Sequence, residues 1–324
     1  MKVIHGLESL DPPLRQVVLT VGNFDGFHRA HRRLLEQATA FARAGGSPVV
    51  VLTFDPHPLS IVAPQHTPPR LTTTDQKLQL LRDAGADVVV VARSEPKLLG
   101  TEADRFVEDI LIRLFHPTHI VEGPSFGFGR GRKGTPELLT SVASRFECEV
   151  HIVDPVRLTL EGDKDIMVSS SLVRRLIAAG NVLDASLCLA RPYCVTGKVA
   201  EGARRGRTIG FPTANLADIE QLVPGDGVYA GRALVRGQAY SAAISIGRTP
   251  TFGGGDRQVE AHLLDFDADI YGQSIQIDFE RRLRDQCTFA STSELTNQLH
   301  RDVEAVRTGS ASVAHASPDK APTP

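Results

Sequence analysis

The chain has few cysteines, no long hydrophobic run and almost no net charge, and each of these excludes a class of protein. Its four cysteines lie far apart without a CxxC pair, which argues against a disulfide framework or a zinc site. No apolar run approaches the roughly 20 residues of a membrane helix, and we expect no signal peptide at the start. A formal net charge of −2 gives no basic field for nucleic acid or an anionic membrane. We therefore expect a cytoplasmic protein, and the length of 324 residues predicts about two domains.

The first half of the sequence alternates strand patterns with helix patterns. The predicted strands are 17–21, 49–54, 87–92, 119–121 and 150–153, and the predicted helices are 31–41, 77–84 and 103–114. A further helix is expected to begin with Thr135 as its N-cap and Pro136 in its first turn. Repeated βα units predict an α/β domain with a parallel, doubly wound sheet, which we place at residues 1–187.

The second half of the sequence has a different pattern of apolar residues. Between 193 and 279, short apolar stretches are separated by glycines, which predicts a small antiparallel β-barrel or sandwich. An amphipathic pattern at 294–306 predicts a closing helix. We place this domain at residues 188–307 and expect the Ser-, Ala- and Pro-rich residues 308–324 to be a disordered tail.

A first candidate site follows the strand at 17–21. The loop there contains Gly22, Asn23, Asp25 and Gly26, and the helix after it begins with His28 and His31. Backbone N–H groups at a helix start attract phosphate, and two imidazoles could donate hydrogen bonds to phosphate oxygens as charge develops. Two histidines at this spacing are more often solvated residues of a capped helix, but the glycine-containing loop favours a phosphate site.

A second segment, with three consecutive serines, supports this interpretation. Ser170 and Ser171 precede an amphipathic turn, and Arg174 lies one turn further on. Hydroxyls and a guanidinium at a helix start can clamp a phosphate, although the segment alone is also typical of an ordinary capped helix. Together the two segments resemble the HxGH and SSTxxR-like signatures of the nucleotidyltransferase superfamily, with Ala30 at the usual glycine.

A glycine pattern at 129–134 allows other interpretations. Gly129, Gly131 and Gly134 form a GxGxxG, but basic residues lie between them and the motif does not open the first βα unit. A dinucleotide site or a nucleic-acid patch is therefore less favoured than a basic loop beside the phosphates of a mononucleotide. The sequence has no GxxxxGK[ST] P-loop.

A further candidate site lies in the second half. Its glycine- and arginine-rich loop includes Gly202, Gly206, Arg207 and Gly210. Thr213 and Asn215 alternate on an extended segment, so their oxygens face one side and suit Mg²⁺. Glu260, in an apolar strand, is a candidate general base, although such a residue is more often simply solvent-facing.

The chain up to about residue 308 resembles the bacterial bifunctional riboflavin kinase/FMN adenylyltransferase family. The resemblance rests on GNFDGFHRAH, TFDPHP, FGFGRGRKG, VSSSLVRR, RPY, GRTIGFPTAN, GVYAG, IGRTPTFGG and VEAHLLDFDADIYG, in this order. It implies a Rossmann-like nucleotidyltransferase domain followed by a riboflavin kinase-like β-barrel with a closing helix. It also implies small-molecule partners, namely ATP, riboflavin and FMN, with no nucleic acid and no membrane.

The resemblance implies residue roles for two reactions. In the barrel, ATP would phosphorylate riboflavin to FMN; Thr213 and Asn215 would hold Mg²⁺ and ATP phosphates, and Glu260 would accept the hydroxyl proton. In the first domain, FMN would attack ATP to give FAD and pyrophosphate, with His28 and His31 stabilising the transition state. ATP would also contact the loop glycines, Asn23, Asp25, Ser170, Ser171 and Arg174, and the flavin would lie near Asp55, His57, Ser125 and Phe126.

Two departures from the family pattern leave an alternative open. Ser125 stands where Asp or Asn is usual, and Gly127 stands where Arg is common. They motivate the hypothesis of a kinase whose adenylyltransferase domain is degenerate. A sensor that binds flavin or nucleotide without turnover is a third hypothesis, and a homo-oligomer is left open.

Overall fold

The computed structural model describes residues 1–201, 209–248 and 257–313. The chain divides into two compact units, Met1–Ser170 and Ser171–Pro324. Three predicted site residues, Gly202, Gly206 and Arg207, and the predicted tail after residue 313 lie outside the described residues. Within the described ranges, no helix is long and apolar enough to span a membrane.

The first unit contains a parallel sheet, as the sequence predicted, but the sheet has six strands rather than the five that were expected. Its order is β1-β4-β3-β2-β5-β6. The bounds are β1 (Lys2–His5), β2 (Val17–Val21), β3 (Val49–Asp55), β4 (Val88–Arg93), β5 (Pro117–Glu122) and β6 (Glu149–Ile152). All residues of β2 and the first five of β3 are buried, because helices cover both faces of the sheet. A separate antiparallel hairpin consists of β7 (Arg157–Leu160) and β8 (Asp163–Met167).

The helices of this unit form two layers. They are α1 (Arg29–Gly45), α2 (Leu59–Val62), α3 (Thr74–Asp83), α4 (Pro96–Leu99), α5 (103–115) and α6 (Pro136–Ala143). Leu35 of α1 and Leu81 of α3 belong to the core on one face of the sheet, whereas Leu111 of α5 and Leu139 of α6 belong to the core on the other. The unit is therefore doubly wound.

Several local predictions differ from the structure. The middle of α5, Phe106–Ile112, is π-helical, a rare form that a helical periodicity does not distinguish. The sequence analysis missed β1, since three of its four residues are at least partly exposed and show no buried-strand pattern. The start of α6, by contrast, is as predicted: the Thr135 side chain caps the helix by accepting a hydrogen bond from Leu138 N, and Pro136 is the first helical residue.

The second unit contains the predicted antiparallel barrel. The strands close in the order β10-β13-β12-β11-β14-β9. Their bounds are β9 (Tyr193–Ala200), β10 (Ala214–Ala217), β11 (Gly227–Val235), β12 (Gln238–Arg248), β13 (Arg257–Leu263) and β14 (Ser274–Arg284). Buried and partly exposed residues alternate along β9 and β13, as expected when one face fills the interior of a small barrel.

Three further helices flank the barrel strands in the sequence. The helix α7 (Ser170–Ala178) begins at the division between the units, α8 (Val182–Leu189) follows it, and α9 (Thr292–Val313) is the closing helix. The helix α9 runs past the expected end at 306, so the first residues of the predicted tail are helical. Val306 is buried against Ala230 and Leu264 of the barrel unit, and Arg307 pairs with Asp265 at 2.7 Å.

Candidate active sites

The loop after β2 is held in an uncommon backbone conformation. Phe24 and Phe27 have φ values of 48° and 38°, and Gly26 has 79°. Both aromatic side chains are nonetheless fully buried in the core beneath the loop. A Cβ at Gly22 would lie 3.3 Å from the Phe24 ring. Strained residues persist where the surrounding packing over-determines them, and they cluster at functional sites. The loop is therefore rigid, with its backbone presented at the carboxyl end of β2.

The Asp25 carboxylate binds the neighbouring loop at Leu71 and Thr72 through hydrogen bonds. Its oxygens accept hydrogen bonds from Leu71 N and Thr72 N at 3.0–3.1 Å, and from Thr72 Oγ1 at 3.0 Å. Its backbone carbonyl accepts a hydrogen bond from Ser170 Oγ at 2.8 Å. These contacts make Asp25 a positioning residue in the structure, whereas its predicted contact with ATP stays a prediction.

The two predicted histidines lie together at the start of α1. His28 is the N-cap, its Nδ1 accepts a hydrogen bond from His31 N at 3.4 Å, and the two rings stack with their centroids 3.7 Å apart. Burial, followed by the charges of His28 and Lys77, holds the pKa of His31 well below its usual value. His31 Nδ1 is buried without a hydrogen-bond partner among the described residues. At neutral pH the His31 imidazole is therefore neutral, and its Nδ1 is a buried polar atom that the described residues leave unsatisfied.

A cleft opens at the carboxyl ends of β2 and β3, and neither His28 nor His31 is among the residues that line it. It is lined by Asn23, Asp25, Phe54, Asp55, His57, Pro68, Arg70, Thr72, Thr74 and Lys77. Asp55 accepts hydrogen bonds from Arg70 Nη2 at 2.9 Å and from Thr74 Oγ1 at 2.8 Å. Asn23 Nδ2 lies 3.2 Å from His57 Nε2, and Asn23 Oδ1 is buried with no partner among the described residues. The structure thus brings four predicted site residues together where parallel sheets commonly bind ligands.

Lys77, on the floor of this cleft, is a residue that the sequence analysis missed. Its side chain is 8% exposed, and Nζ donates to Asn23 O, Thr53 Oγ1 and Phe54 O at 3.2–3.4 Å. Burial lowers the pKa of its ammonium, although the carboxylates of Asp55 and Asp25 oppose that effect. In the sequence, Lys77 has the pattern of an ordinary polar helix residue, so no local signal marked it.

The loop after β5 contributes less to the cleft than expected. Ser125 is exposed, and Phe126 stacks on Phe128 with centroids 5.1 Å apart, but neither residue is among those lining the cleft. The GxGxxG in this loop has a packing explanation. A Cβ at Gly129 would lie 2.6 Å from the backbone of Ala103, and one at Gly134 would lie 2.5 Å from the Phe128 ring. Two of its three glycines are therefore needed for close packing in the loop itself.

Glu122, at the carboxyl end of β5, is a second residue that the sequence analysis missed. It is 2% exposed, and its Oε1 accepts a hydrogen bond from Val21 N at 2.6 Å. Burial raises the pKa of this carboxyl group well above its usual value, more than the hydrogen bond lowers it. The group ties the end of β5 to the end of β2, directly before the loop that precedes α1.

In the barrel, two predicted site residues face each other. The pairing of β10 with β13 places Asn215 opposite Glu260, and Ser245 of β12 is opposite Glu260 on its other side. Their neighbours Ala214 and Ala261 are buried, whereas Asn215 and Glu260 are half-buried on the other face of these strands. Directly opposed residues have Cβ atoms about 4.5–5.5 Å apart. An amide and a carboxylate separated by 45 positions in the sequence therefore lie side by side on one face of the barrel.

The segment before β10 is held by aromatic contacts. His262 Nδ1 donates to Pro212 O at 2.7 Å, and the Phe211 ring lies between His262 and His300, with centroids at 5.4 and 5.0 Å. Gly210 has a φ of 85° in the turn before it. Thr213 is half-buried two residues before Asn215. Hydroxyl, amide and carboxylate oxygens are the donor types that Mg²⁺ takes, so this set fits that ion.

The comparisons with known proteins match both halves of the chain. The family profile described as FAD synthetase matches residues 11–171, and the profile described as riboflavin kinase matches residues 189–309. A bifunctional riboflavin kinase/FMN adenylyltransferase from Escherichia coli (strain K12) is 36% identical over 304 residues, with 93% of this chain and 96% of that protein covered. A protein with the same description from Haemophilus influenzae is 32% identical, with 95% and 98% covered.

A solved structure supports the fold. A protein from Streptococcus pneumoniae, described as a macrolide-efflux protein, has a TM-score of 0.83 and 30% identity, with 95% of this chain and 99% of that chain covered. The words "macrolide-efflux" describe the protein from Streptococcus pneumoniae and are not applied to this chain. Because both domain profiles are present and the curated relatives cover nearly the whole chain, the chain belongs to the family of bifunctional riboflavin kinase/FMN adenylyltransferases.

Proposed function

We propose that the chain catalyses two consecutive reactions, one at the barrel and one at the parallel sheet. In the barrel, the ribityl hydroxyl of riboflavin attacks the γ-phosphorus of ATP, giving FMN and ADP. In the α/β unit, a phosphate oxygen of FMN attacks the α-phosphorus of ATP, giving FAD and pyrophosphate. The presence of a riboflavin kinase domain and a FAD synthetase domain in one chain is the observation that carries this proposal.

In the kinase reaction, Glu260 accepts the proton of the attacking hydroxyl. Its position opposite Asn215 supports this role, because both groups project from the same face of neighbouring strands. Thr213 and Asn215 would hold Mg²⁺ with ATP phosphates, and the ion would supply neutralisation of phosphate charge when bound. His262 keeps the segment before β10 in place through Pro212 O. Gly210 belongs to the nucleotide loop, whose other proposed residues lie outside the described ranges.

In the adenylyltransferase reaction, His28 and His31 stabilise the charge that develops on the phosphates. The neutral state of His31 suits hydrogen-bond donation from one ring nitrogen, and the stacking holds its ring against that of His28. Asn23, Asp55 and His57 would contact the substrates in the cleft that they line, and Lys77, which also lines it, would supply a positive charge. Ser125 and Phe126 as flavin contacts, and Ser170, Ser171 and Arg174 as phosphate contacts, are proposed from the resemblance alone.

The hypothesis of a kinase without adenylyltransferase activity is less favoured. The FAD synthetase profile matches residues 11–171, and the cleft and the stacked histidines His28 and His31 all lie within that range. Neither Ser125 nor Gly127 is among the residues that line the cleft. A sensor without turnover has no need of a carboxylate placed opposite Asn215.

A single incubation distinguishes the three hypotheses. The pure protein is mixed with riboflavin, ATP and Mg²⁺, and the flavins are separated by chromatography. FAD as product supports the bifunctional enzyme, FMN alone supports the kinase, and unchanged riboflavin supports the sensor. ATP and flavins as its only partners, and the cytoplasm as its location, remain part of the proposal.

A further inference from the structure

Three potential metal ligands meet on β5 and β6, apart from both candidate active sites. His119 of β5 is directly opposite Glu149 of β6, and His151 follows two residues later on the same face. The ring of Phe41 from α1 stacks on both histidines, with centroids 5.0 Å from His119 and 4.0 Å from His151. His119 and Glu149 lie towards the amino ends of their strands, whereas the cleft lies at the carboxyl ends of β2 and β3.

The ligand atoms have the spacing of a metal site. His119 Nδ1 lies 3.1 Å from His151 Nε2, and Glu149 Oε2 lies 3.8 and 3.5 Å from these two nitrogens. A tetrahedral ion with bonds of about 2.0–2.2 Å to nitrogen and oxygen places its ligand atoms about 3.3–3.6 Å apart. The three observed separations bracket this range, so an ion can be bound with only small side-chain movements.

We propose that His119, Glu149 and His151 bind a divalent transition-metal ion of the zinc class. Two imidazoles and one carboxylate are ligands that such ions prefer, whereas Mg²⁺ takes oxygen ligands. The site differs in chemistry from the all-oxygen set at Thr213 and Asn215, so the two would not compete for one ion. Water would complete the coordination, because the described residues supply three protein ligands.

The surroundings orient the two histidines and leave the site open to solvent. Both histidine side chains are about one-quarter exposed, at 24% and 27%, and the Phe41 ring restricts their orientation. The Glu149 carboxylate supplies negative charge, and its side chain is 72% exposed, which leaves a path for the ion.

The expected consequence is structural. β6 is an edge strand, paired only with β5 in the sheet order. An ion held by one residue of β5 and two residues of β6 cross-links these strands in the folded state. Because the unfolded chain does not hold the three ligands together, the ion stabilises the fold and the melting temperature rises with its concentration.

The test is a metal titration of the full chain, prepared without a histidine tag and treated with a chelator. Co²⁺ is added first, because its visible absorption reports tetrahedral coordination, and Zn²⁺ is then measured by competition with a chromophoric chelator in excess Mg²⁺. The variants are Glu149→Gln and His151→Gln. The matched control is His5→Gln, an exposed histidine on β1 at the other edge of the sheet.

The proposal requires that one ion binds per chain and that each ligand variant binds it about tenfold more weakly or worse. A tenfold loss is the minimum expected, because losing a residue that only supports a metal ligand already costs about that much in affinity. The His5→Gln control should bind Zn²⁺ as tightly as the unmodified chain. Equal affinity in all four proteins, a thiolate charge-transfer band with Co²⁺, or no binding overturns the proposal. If the His151→Gln protein does not fold, the zinc affinity of Glu149→Gln alone decides between the outcomes, because the exposed Glu149 side chain is not needed for packing.

Discussion

Replacing Lys77 by methionine tests whether the floor of the cleft acts in the adenylyltransferase reaction. Methionine has nearly the length of lysine, so the substitution removes the ammonium and leaves its volume filled. We expect FAD formation from supplied FMN to fall, while FMN formation from riboflavin continues at its normal rate. The reason is that Lys77 contacts the ends of β2 and β3 in the first unit, whereas the kinase residues lie in the barrel.

The magnitude follows from the charge and its burial. If a separation of about 8 Å between the ammonium and the developing phosphate charge is assumed, an effective dielectric constant of about 20 gives about 2 kcal/mol, or about thirtyfold in rate. The stability loss should stay at about 1–3 kcal/mol, the cost of buried acceptors left without a donor. It should not be larger, because Asn23 O keeps its hydrogen bond from Thr53 Oγ1 at 3.2 Å.

The assay follows both products by chromatography and compares the pH dependence of FAD formation. The pKa of Lys77 is lowered from 10.5. As the pH rises, the unmodified enzyme should therefore lose adenylyltransferase activity at a lower pH than it would if this lysine were exposed. That decline should be absent in Lys77→Met. A folded Lys77→Met protein with an unchanged rate and an unchanged alkaline decline would refute the reasoning, and equal loss of both activities would indicate misfolding instead.

Three further perturbations test the remaining sites. Glu260→Gln should slow FMN formation by about 10²–10⁴-fold, as expected for a lost general base, while FAD is still made from supplied FMN; loss of both activities would contradict independent sites. His28→Ala should do the reverse, slowing FAD formation by about 10²–10³-fold and leaving FMN formation unchanged in the same assay. Glu122→Gln should raise the melting temperature at pH 7 and above but not near pH 4. Burial raises the pKa of that carboxyl in the folded chain, so the natural protein loses stability as the pH rises through the interval between the unfolded and folded pKa values. A pH-independent effect in thermal unfolding would contradict this explanation.

Some features of the fold were predictable because they depend on neighbouring residues. The strand at Val17–Val21 was predicted with its bounds, since all five residues are buried and β-branched or aliphatic. Thr135 and Pro136 were predictable as a helix start, since capping involves residues three positions apart. The alternation of βα units, followed by short strands, was sufficient to predict a parallel sheet and a barrel.

Other features depend on the order and register of strands, which periodicity does not contain. Lys77 was missed because only the folded sheet places its helix under the ends of two strands. Glu122 was missed for a related reason, because its partner Val21 is 101 positions away.

The sequence by itself determined the identity of the chemical groups and the segments that carry them. It supplied the histidines at a helix start, the oxygens of Thr213 and Asn215, and the local signals for each strand and helix. The tertiary structure decided which of these groups meet. Asn215 is opposite Glu260, and His119 is opposite Glu149, only because the strands pair in one register, and a shift by one residue would turn each side chain to the other face.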